Sequence, residues 1–262
     1  MKVIDCFPFY NELELLYYRL SILYDVVDHF IISEATKTFA GHDKPSIYLE
    51  NIDRFSKFKD KIIHVIDGEF KTGPGCDWYN ENHQREFIKH ALKDLKLDSR
   101  DFITITDLDE IPDPRVMNKI KNGEIEVNSI VRLEMDMYYY NLTSRKITKW
   151  TNPKVMRYGT LLNEFSGSPQ KTRIYDKCEV IPRGGWHLSY FGNAEKIKNK
   201  IINFAHQELN NAKFTNLDFI RNHIEKKIDL FDRDGGETIQ NVPISENEYL
   251  PVDYDKYLAG FL

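Results

Sequence analysis

Asp101-Phe102-Ile103-Thr104-Ile105-Thr106-Asp107-Leu108-Asp109-Glu110-Ile111-Pro112-Asp113 reads as a buried strand that ends in acid. Phe102, Ile103 and Ile105 alternate with threonines in a β-branched, aromatic run of strand length, and a proline-bearing acidic turn stops it. On an extended backbone Asp107 and Asp109 point to one side while Leu108 points to the core. Two carboxylates in one small volume disfavour joint ionisation unless a cation neutralises them. Mg²⁺ or Mn²⁺ suits such a pair, completing its coordination with water and substrate phosphate. An acidic strand-to-loop turn in solvent has the same spelling, and Asp-x-Asp alone does not separate the two.

Working outward toward the N-terminus, Val3 to Phe9 is an apolar strand candidate. A helix opened by Asn11-Glu12 follows, with Leu13, Leu16, Tyr17, Leu20 and Tyr24 at helical spacing, and residues 28 to 33 form a second strand. Strand, helix and strand predict a parallel βαβ unit, whose ligands lie beyond the carboxyl ends of the strands. Tyr10 and Glu34 stand at those ends. Glu34 reads either as a loop carboxylate in water or as an acceptor for a ribose or base. Residues 36 to 51 form a polar loop that offers Lys44 as a phosphate partner. Ile62 to Ile66 is a third strand. Trp78 to Leu95 is a helix whose Arg85 is either a surface arginine or a planar fork for a diphosphate. The acidic pair therefore sits on the fourth strand of the series.

Downstream the texture changes. Ser129 to Asn141 alternates apolar residues with Arg132, Glu134 and Asp136, the pattern of a half-buried strand with one acidic face. Asp136 and Glu134 are candidates for a catalytic base. Residues 150 to 183 mix short strands with Gly159, Gly167 and Pro169, and contribute Glu164 as a third candidate base and Arg173 by location. In Gly184-Gly185-Trp186-His187-Leu188-Ser189-Tyr190-Phe191-Gly192 the double glycine predicts a close backbone approach or sharp turn. His187 reads as a core histidine or as a third ligand beside the aspartates. Helices are expected over 195–209 and 217–231, with an irregular tail over 232–262.

Composition sets the boundaries. The 262 residues suffice for one large α/β domain. A net charge of -5 without a concentrated basic face argues against a nucleic-acid partner. Three widely spaced cysteines and no C-x-x-C exclude a disulfide framework and a structural zinc. No window approaches the roughly 18 apolar residues of a membrane span, and Met1 to Asp5 carries no apolar leader, so no membrane span and a cytoplasmic location are expected.

The motifs resemble those of glycosyltransferase family 17, which has the GT-A fold. The matching pieces are Asp5-Cys6-Phe7, Val26-Val27-Asp28, Ile31-Ile32-Ser33-Glu34 with Thr38 and Gly41, Asp107-Leu108-Asp109-Glu110-Ile111-Pro112, Gly185-Trp186-His187-Leu188-Ser189, and Asp218-Phe219-Ile220-Arg221. They run in family order from Val3 to Asp234. The resemblance implies an α/β single domain of GT-A type over residues 1–262, with a Rossmann-like, mostly parallel central sheet flanked by helices. Residues 1–113 would form the nucleotide-sugar-binding half, and 114–262 a mixed acceptor-side half with closing helices. It further implies an inverting transfer of a sugar from a UDP-sugar donor, UDP-GlcNAc by family, to a glycan hydroxyl. Mn²⁺ or Mg²⁺ would be held by Asp107, Asp109 and His187. Asp107 and Trp186 join Tyr10, Glu34, Lys44 and Arg85 in the set expected to bind the nucleotide sugar. Animal members are Golgi enzymes with a membrane anchor, which this sequence lacks, so a bacterial or viral enzyme acting on a lipid-linked or surface glycan is expected. Two rivals remain. A catalytically inactive sugar-nucleotide module keeps the fold without the chemistry. An Asp-x-Asp phosphatase of the haloacid-dehalogenase type would carry the motif near its N-terminus and a paired acidic motif later, which this chain does not.

Overall fold

The computed structural model describes residues 1–231 and 239–262. Its strands are β1 (Val3–Phe9), β2 (His29–Ala35), β3 (Ile62–Asp67), β4 (Phe102–Ile105), β5 (Glu110–Pro112), β6 (Ile130–Tyr139), β7 (Ser144–Lys146), β8 (Lys154–Arg157), β9 (Glu179–Ser189) and β10 (Ile239–Asn241). The helices are α1 (Leu13–Leu23), α2 (Ile47–Glu50), α3 (Cys76–Asp94), α4 (Pro114–Lys121), α5 (Tyr158–Phe165), α6 (Pro169–Ile174), α7 (Ala194–Asn203), α8 (Leu217–Lys226) and α9 (Tyr254–Tyr257).

The strands join in one sheet in the order β10-β7-β6-β8-β4-β1-β2-β3. β3, β2, β1 and β4 run parallel. β8 reverses direction against both β4 and β6, and β9 pairs parallel with β6 and antiparallel with β5. This is the parallel half and mixed half expected of the fold. Because side chains alternate across a strand, each face of the parallel half has its own cover. Phe7, Phe30 and Phe102 pack with Leu16 and Leu20 of α1. Ile4, Ile31, Ile103 and Ile105 pack with Ile88, Ala91 and Leu92 of α3 and Leu161 of α5. Each such fully buried side chain contributes roughly 1.5–3 kcal/mol.

Local chemistry sets the helix starts. Asp113 caps α4 by accepting from Arg115 N at 2.8 Å, with Pro114 in the first turn. Ser168 and Pro169 open α6 in the same way, and the Asn193 side chain caps α7.

Four expectations are corrected. The segment expected to mix short strands with Gly159, Gly167 and Pro169 over 150–183 also contains α5 and α6, the latter opened by the Ser168 cap and Pro169. The helix expected to reach residue 231 ends at Lys226, where Lys227 turns left-handed at φ 55°. The helix expected over 195–209 ends at Asn203. β6 is buried on both faces, with Asp136 4 % exposed, rather than half-buried with an acidic face. Of the tail expected to be irregular, residues 232–238 lie outside the described residues.

Candidate active site

The site starts from an arginine in the middle of α1. Arg19 is fully buried, and its fork grips Asp5 of β1 through Nε (2.8 Å) and Nη2 (2.7 Å). Its Nη1 donates to the backbone carbonyls of Asp107 (2.8 Å), Leu108 (3.1 Å) and Glu110 (3.0 Å), while Nη2 also reaches Thr106 Oγ1 (2.6 Å). One side chain therefore sets the backbone path of the acidic motif. That path is a turn, closed by Glu110 N donating to Asp107 O at 3.0 Å, and not the extended strand expected from the alternation. Both aspartates still face one cleft, while Leu108 goes into the core.

Cations hold the acids in place. Asp107 accepts from Arg85 Nη2 (2.9 Å) on one oxygen and from Arg173 Nη2 (2.8 Å) on the other. Glu110, fully buried, accepts both Arg173 nitrogens at 2.6 Å, the Trp150 indole at 2.5 Å and the Asp107 backbone N–H at 2.8 Å. Asp109 accepts from Lys200 Nζ of α7 at 2.8 Å, and its other oxygen lies 3.6 Å from His187 Nε2. Burial alone would raise both aspartates. Arg173 and Arg85 overcome this at Asp107 against the push of Asp109, and Lys200 and His187 overcome it at Asp109, so both carboxyls stay below the usual range. Burial would lower Lys200, but Asp109 and Glu12 hold it well above the ordinary lysine value.

His187 reaches the acid through a close strand crossing. Gly185 sits at φ 150°, and a Cβ there would lie 2.2 Å from Ile111 O of β5; a Cβ on Gly184 would lie 2.7 Å from Leu133 Cβ of β6. The double glycine thus marks a close approach, as its sequence predicted. Beyond it, alternation sends His187 and Ser189 to the cleft and Trp186 and Leu188 to the opposite face. His187 Nδ1 is buried with no partner among the described residues.

The cleft measures about 650 Å³ and opens beyond the carboxyl ends of the parallel strands. Tyr10, Phe39, Trp78, Trp150 and Tyr175 supply aromatic surface on its walls, and Glu12, Glu81 and Asp176 add carboxylates. Gln84 of α3 ties β1 and β2 together by donating to Phe9 O (3.1 Å) and Ser33 O (2.5 Å).

Of the residues singled out from the sequence, Tyr10, Arg85, Asp107, Asp109, His187 and Arg173 meet in this cleft. Others do not. Trp186 is fully buried on the far face, donating to Tyr249 O at 3.0 Å, because it lies one residue out of phase with His187. Asp136 pairs in register with Trp186 and shares its face, where Lys149 and Arg145 take its charge. Glu134 sits at the bulge of β6, outside the cleft lining, and Glu164 is exposed on α5 beside Ser129. Glu34 is fully buried, accepting Lys44, Ser46, His64 and the first N–H groups of α2. Lys44 is thereby spent on Glu34, although it lines a small pocket of about 80 Å³ with Tyr10 and Phe39. The Arg85 fork is likewise turned inward, to Asp107, Glu81 and Gln170. Arg19, Glu110 and Lys200 were missed. Glu110 had a signal in its place within the acidic run; a lysine and an arginine inside helical repeats have none.

Among the described residues no group of three or more His, Cys, Asp or Glu is arranged to hold a metal, and no helix is long and apolar enough to cross a membrane. A divalent ion would find one carboxylate, Asp109, and one imidazole, His187. That mixed oxygen–nitrogen donor set suits Mn²⁺ better than Mg²⁺, which favours oxygen ligands alone, with water and phosphate completing the shell. Asp107, with both oxygens already bound, fits a supporting part rather than a ligand.

The family model described as Glycosyltransferase family 17 matches residues 1–236. Beta-1,4-mannosyl-glycoprotein 4-beta-N-acetylglucosaminyltransferases from Rattus norvegicus and Homo sapiens are 25% identical over 240 residues, covering 77% of this chain. The match takes in 42% and 43% of those proteins, so the chain spans about two fifths of the length of these curated relatives. Among solved structures, 4-diphosphocytidyl-2C-methyl-D-erythritol synthase from Anaerococcus prevotii aligns at TM-score 0.40 and 12% identity, over 80% of this chain and 96% of that one. Mycobacterium tuberculosis glucosyl-3-phosphoglycerate synthase in complex with Mn²⁺ and UDP-glucose aligns at TM-score 0.32 and 10% identity, over 72% and 70%.

Proposed function

Because the chain belongs to glycosyltransferase family 17, we propose that it transfers a sugar, GlcNAc by the names of its relatives, from a UDP-sugar to a glycan hydroxyl with inversion and with a divalent metal. The observation that carries this reading is the Asp109–His187 pair, 3.6 Å apart and facing a cleft of about 650 Å³ at the strands' carboxyl ends.

The chain's own residues divide the work. Arg19 fixes the acidic turn, Arg85 and Arg173 hold Asp107, and Asp109 with His187 would hold the ion. Bound there, Mn²⁺ or Mg²⁺ supplies charge neutralisation to the departing diphosphate. Tyr10 and Phe39 offer stacking surface for the nucleotide at the ends of β1 and β2. In the transfer, the acceptor oxygen bonds to the anomeric carbon as the bond to the diphosphate oxygen breaks. The bonding pair leaves with UDP, and the acceptor proton passes to a carboxylate on the opposite side. Asp176 suits that last part. It lines the cleft and, unlike Asp107, Asp109 and Glu81, carries no ion pair among the described residues. A phosphatase reading needs a free aspartate nucleophile, and Asp107 has both oxygens bound to arginines.

The test is UDP release from UDP-GlcNAc with Mn²⁺ and then with EDTA, for the wild type and Asp109→Asn. Metal-dependent release that the variant loses, with an unchanged circular dichroism spectrum, is the expected result. Chelator-insensitive turnover, or wild-type UDP affinity in the variant, would refute the metal role.

A further inference from the structure

Arg132 of β6 and Lys154 of β8 are direct partners across the sheet, and both line the cleft. Lys154 is 2 % exposed, and among the described residues its ammonium donates only to the Asn152 carbonyl, at 2.8 Å. Arg132 reaches the Cys178 carbonyl at 3.4 Å and leaves its buried Nε without a partner. Neither makes an ion pair among the described residues. The contrast with the rest of the cleft is sharp: Arg85, Arg173 and Lys200 each grip a carboxylate. Two adjacent cations, Lys154 buried and Arg132 half-buried with a buried, unpartnered Nε, are costly to hold together unless something negative meets them.

We infer that Arg132 and Lys154 form a subsite for an anionic group, a phosphate or carboxylate, carried by the acceptor glycan. This rests on the transferase reading and adds the acceptor's chemistry to it. The position supports the acceptor over the donor. The pair stands on β6 and β8, on the antiparallel side of β4, and shares the cleft lining with the exposed Asp176, whereas the aromatics Tyr10 and Phe39 follow β1 and β2 and the Asp109–His187 pair belongs to the acidic turn and the end of β9. The arginine fork suits two oxygens of one anion, and the lysine adds a point charge. Burial, reinforced by Arg173 and Arg132, pulls the Lys154 ammonium down to about 8, as expected of a cation waiting for a counter-ion.

The experiment is calorimetric titration of the full chain with inorganic phosphate and, separately, with glucuronate, each in the absence and presence of saturating UDP and Mn²⁺. Binding by the wild type that persists with UDP bound, and that weakens about tenfold or more in Lys154→Met and in Arg132→Gln, is expected. A preference for phosphate or for glucuronate identifies the group. Displacement of the anion by UDP would assign the pair to the donor diphosphate and overturn the inference, as would absent binding by the wild type or wild-type affinity in both variants. Failure of UDP itself to bind would instead strike the transferase reading, so the two failures are distinct. Lys154→Met keeps the side-chain volume, and unchanged UDP affinity in either variant reports an intact fold.

Discussion

Lys154→Met should make the protein more stable, which is unusual for a change at a wall of an enzyme cleft. The lysine falls from 10.5 to about 8, through burial first and then the charge of Arg173, with Arg132 adding to it and Cys178 and Glu110 opposing. At about 1.4 kcal/mol per pH unit, keeping this ammonium charged costs about 3 kcal/mol at pH 7. Methionine removes that cost and fills the same space, but gives up the bond to the Asn152 carbonyl, worth about 1 kcal/mol. A net gain of about 2 kcal/mol remains, or roughly 4–8 °C in Tm for a chain of this size. The pH dependence has a fixed sign. Because the folded value lies below the unfolded one, the penalty is complete below about pH 8, shrinks as pH rises, and is gone above the unfolded value. Urea denaturation of wild type and variant at pH 7 and pH 9.5 measures it. The advantage of the variant should be near 2 kcal/mol at the lower pH and close to zero at the higher. A variant less stable than wild type at pH 7, or a gain that does not shrink with pH, would refute the reasoning that Lys154 is held charged without a partner.

Two further outcomes follow from the frame. Arg19→Met strands Asp5 as a buried, uncompensated carboxylate and releases three carbonyls of the acidic turn; a loss of about 3–5 kcal/mol in urea denaturation is expected, partly recovered in Arg19→Met with Asp5→Leu. A loss below 1 kcal/mol would remove Arg19 from its organising place. Gly185→Ala sets a Cβ against Ile111 O at φ 150°, which requires β5 and β9 to part; it should lower stability by at least 2 kcal/mol and weaken UDP–Mn²⁺ binding in titration calorimetry through displacement of His187. Gly167→Ala, at φ 71° with only a distant neighbour, is the control and should keep wild-type UDP affinity.

The parallel half of the fold was legible because its determinants are local. β1 and β2 are buried apolar runs of strand length, and a buried parallel strand announces itself in that way; β3, at the sheet edge, is half-buried but keeps the same β-branched run. Gly184-Gly185 was legible in part for a similar reason, since two adjacent glycines before an aromatic narrow the choice to a close approach or a sharp turn, and the structure shows the close approach. The failures share a different physics. Asp136, Trp186 and His187 were weighed by residue type, but which of them meets the cleft depends on a period of two, read from a register that the bulge between Leu133 and Met135 shifts. Glu34 and Lys44 look like ligands from sequence because each is a charged residue at a strand end or in a loop. Folding brings them to each other, and they satisfy one another before any substrate arrives.

Arg19 shows why the deepest determinant was also the least visible. Within Leu13-Glu14-Leu15-Leu16-Tyr17-Tyr18-Arg19-Leu20 it breaks an otherwise apolar helical face, a pattern that reads as a surface position. Its partners are Asp5, 14 residues back, and carbonyls 88 to 91 residues ahead. Backbone carbonyls carry no side-chain signature at all, so no motif search over residue types reveals that the acidic turn has a buried guanidinium behind it. The same holds for Lys154 and Arg132, in the opposite sense. They attract notice only once the structure shows that, among the described residues, Arg85, Arg173 and Lys200 of the cleft have each found an acid and that these two have not. A functional residue is recognised here by what its charge lacks inside the fold, and that quantity exists only after the chain has closed on itself.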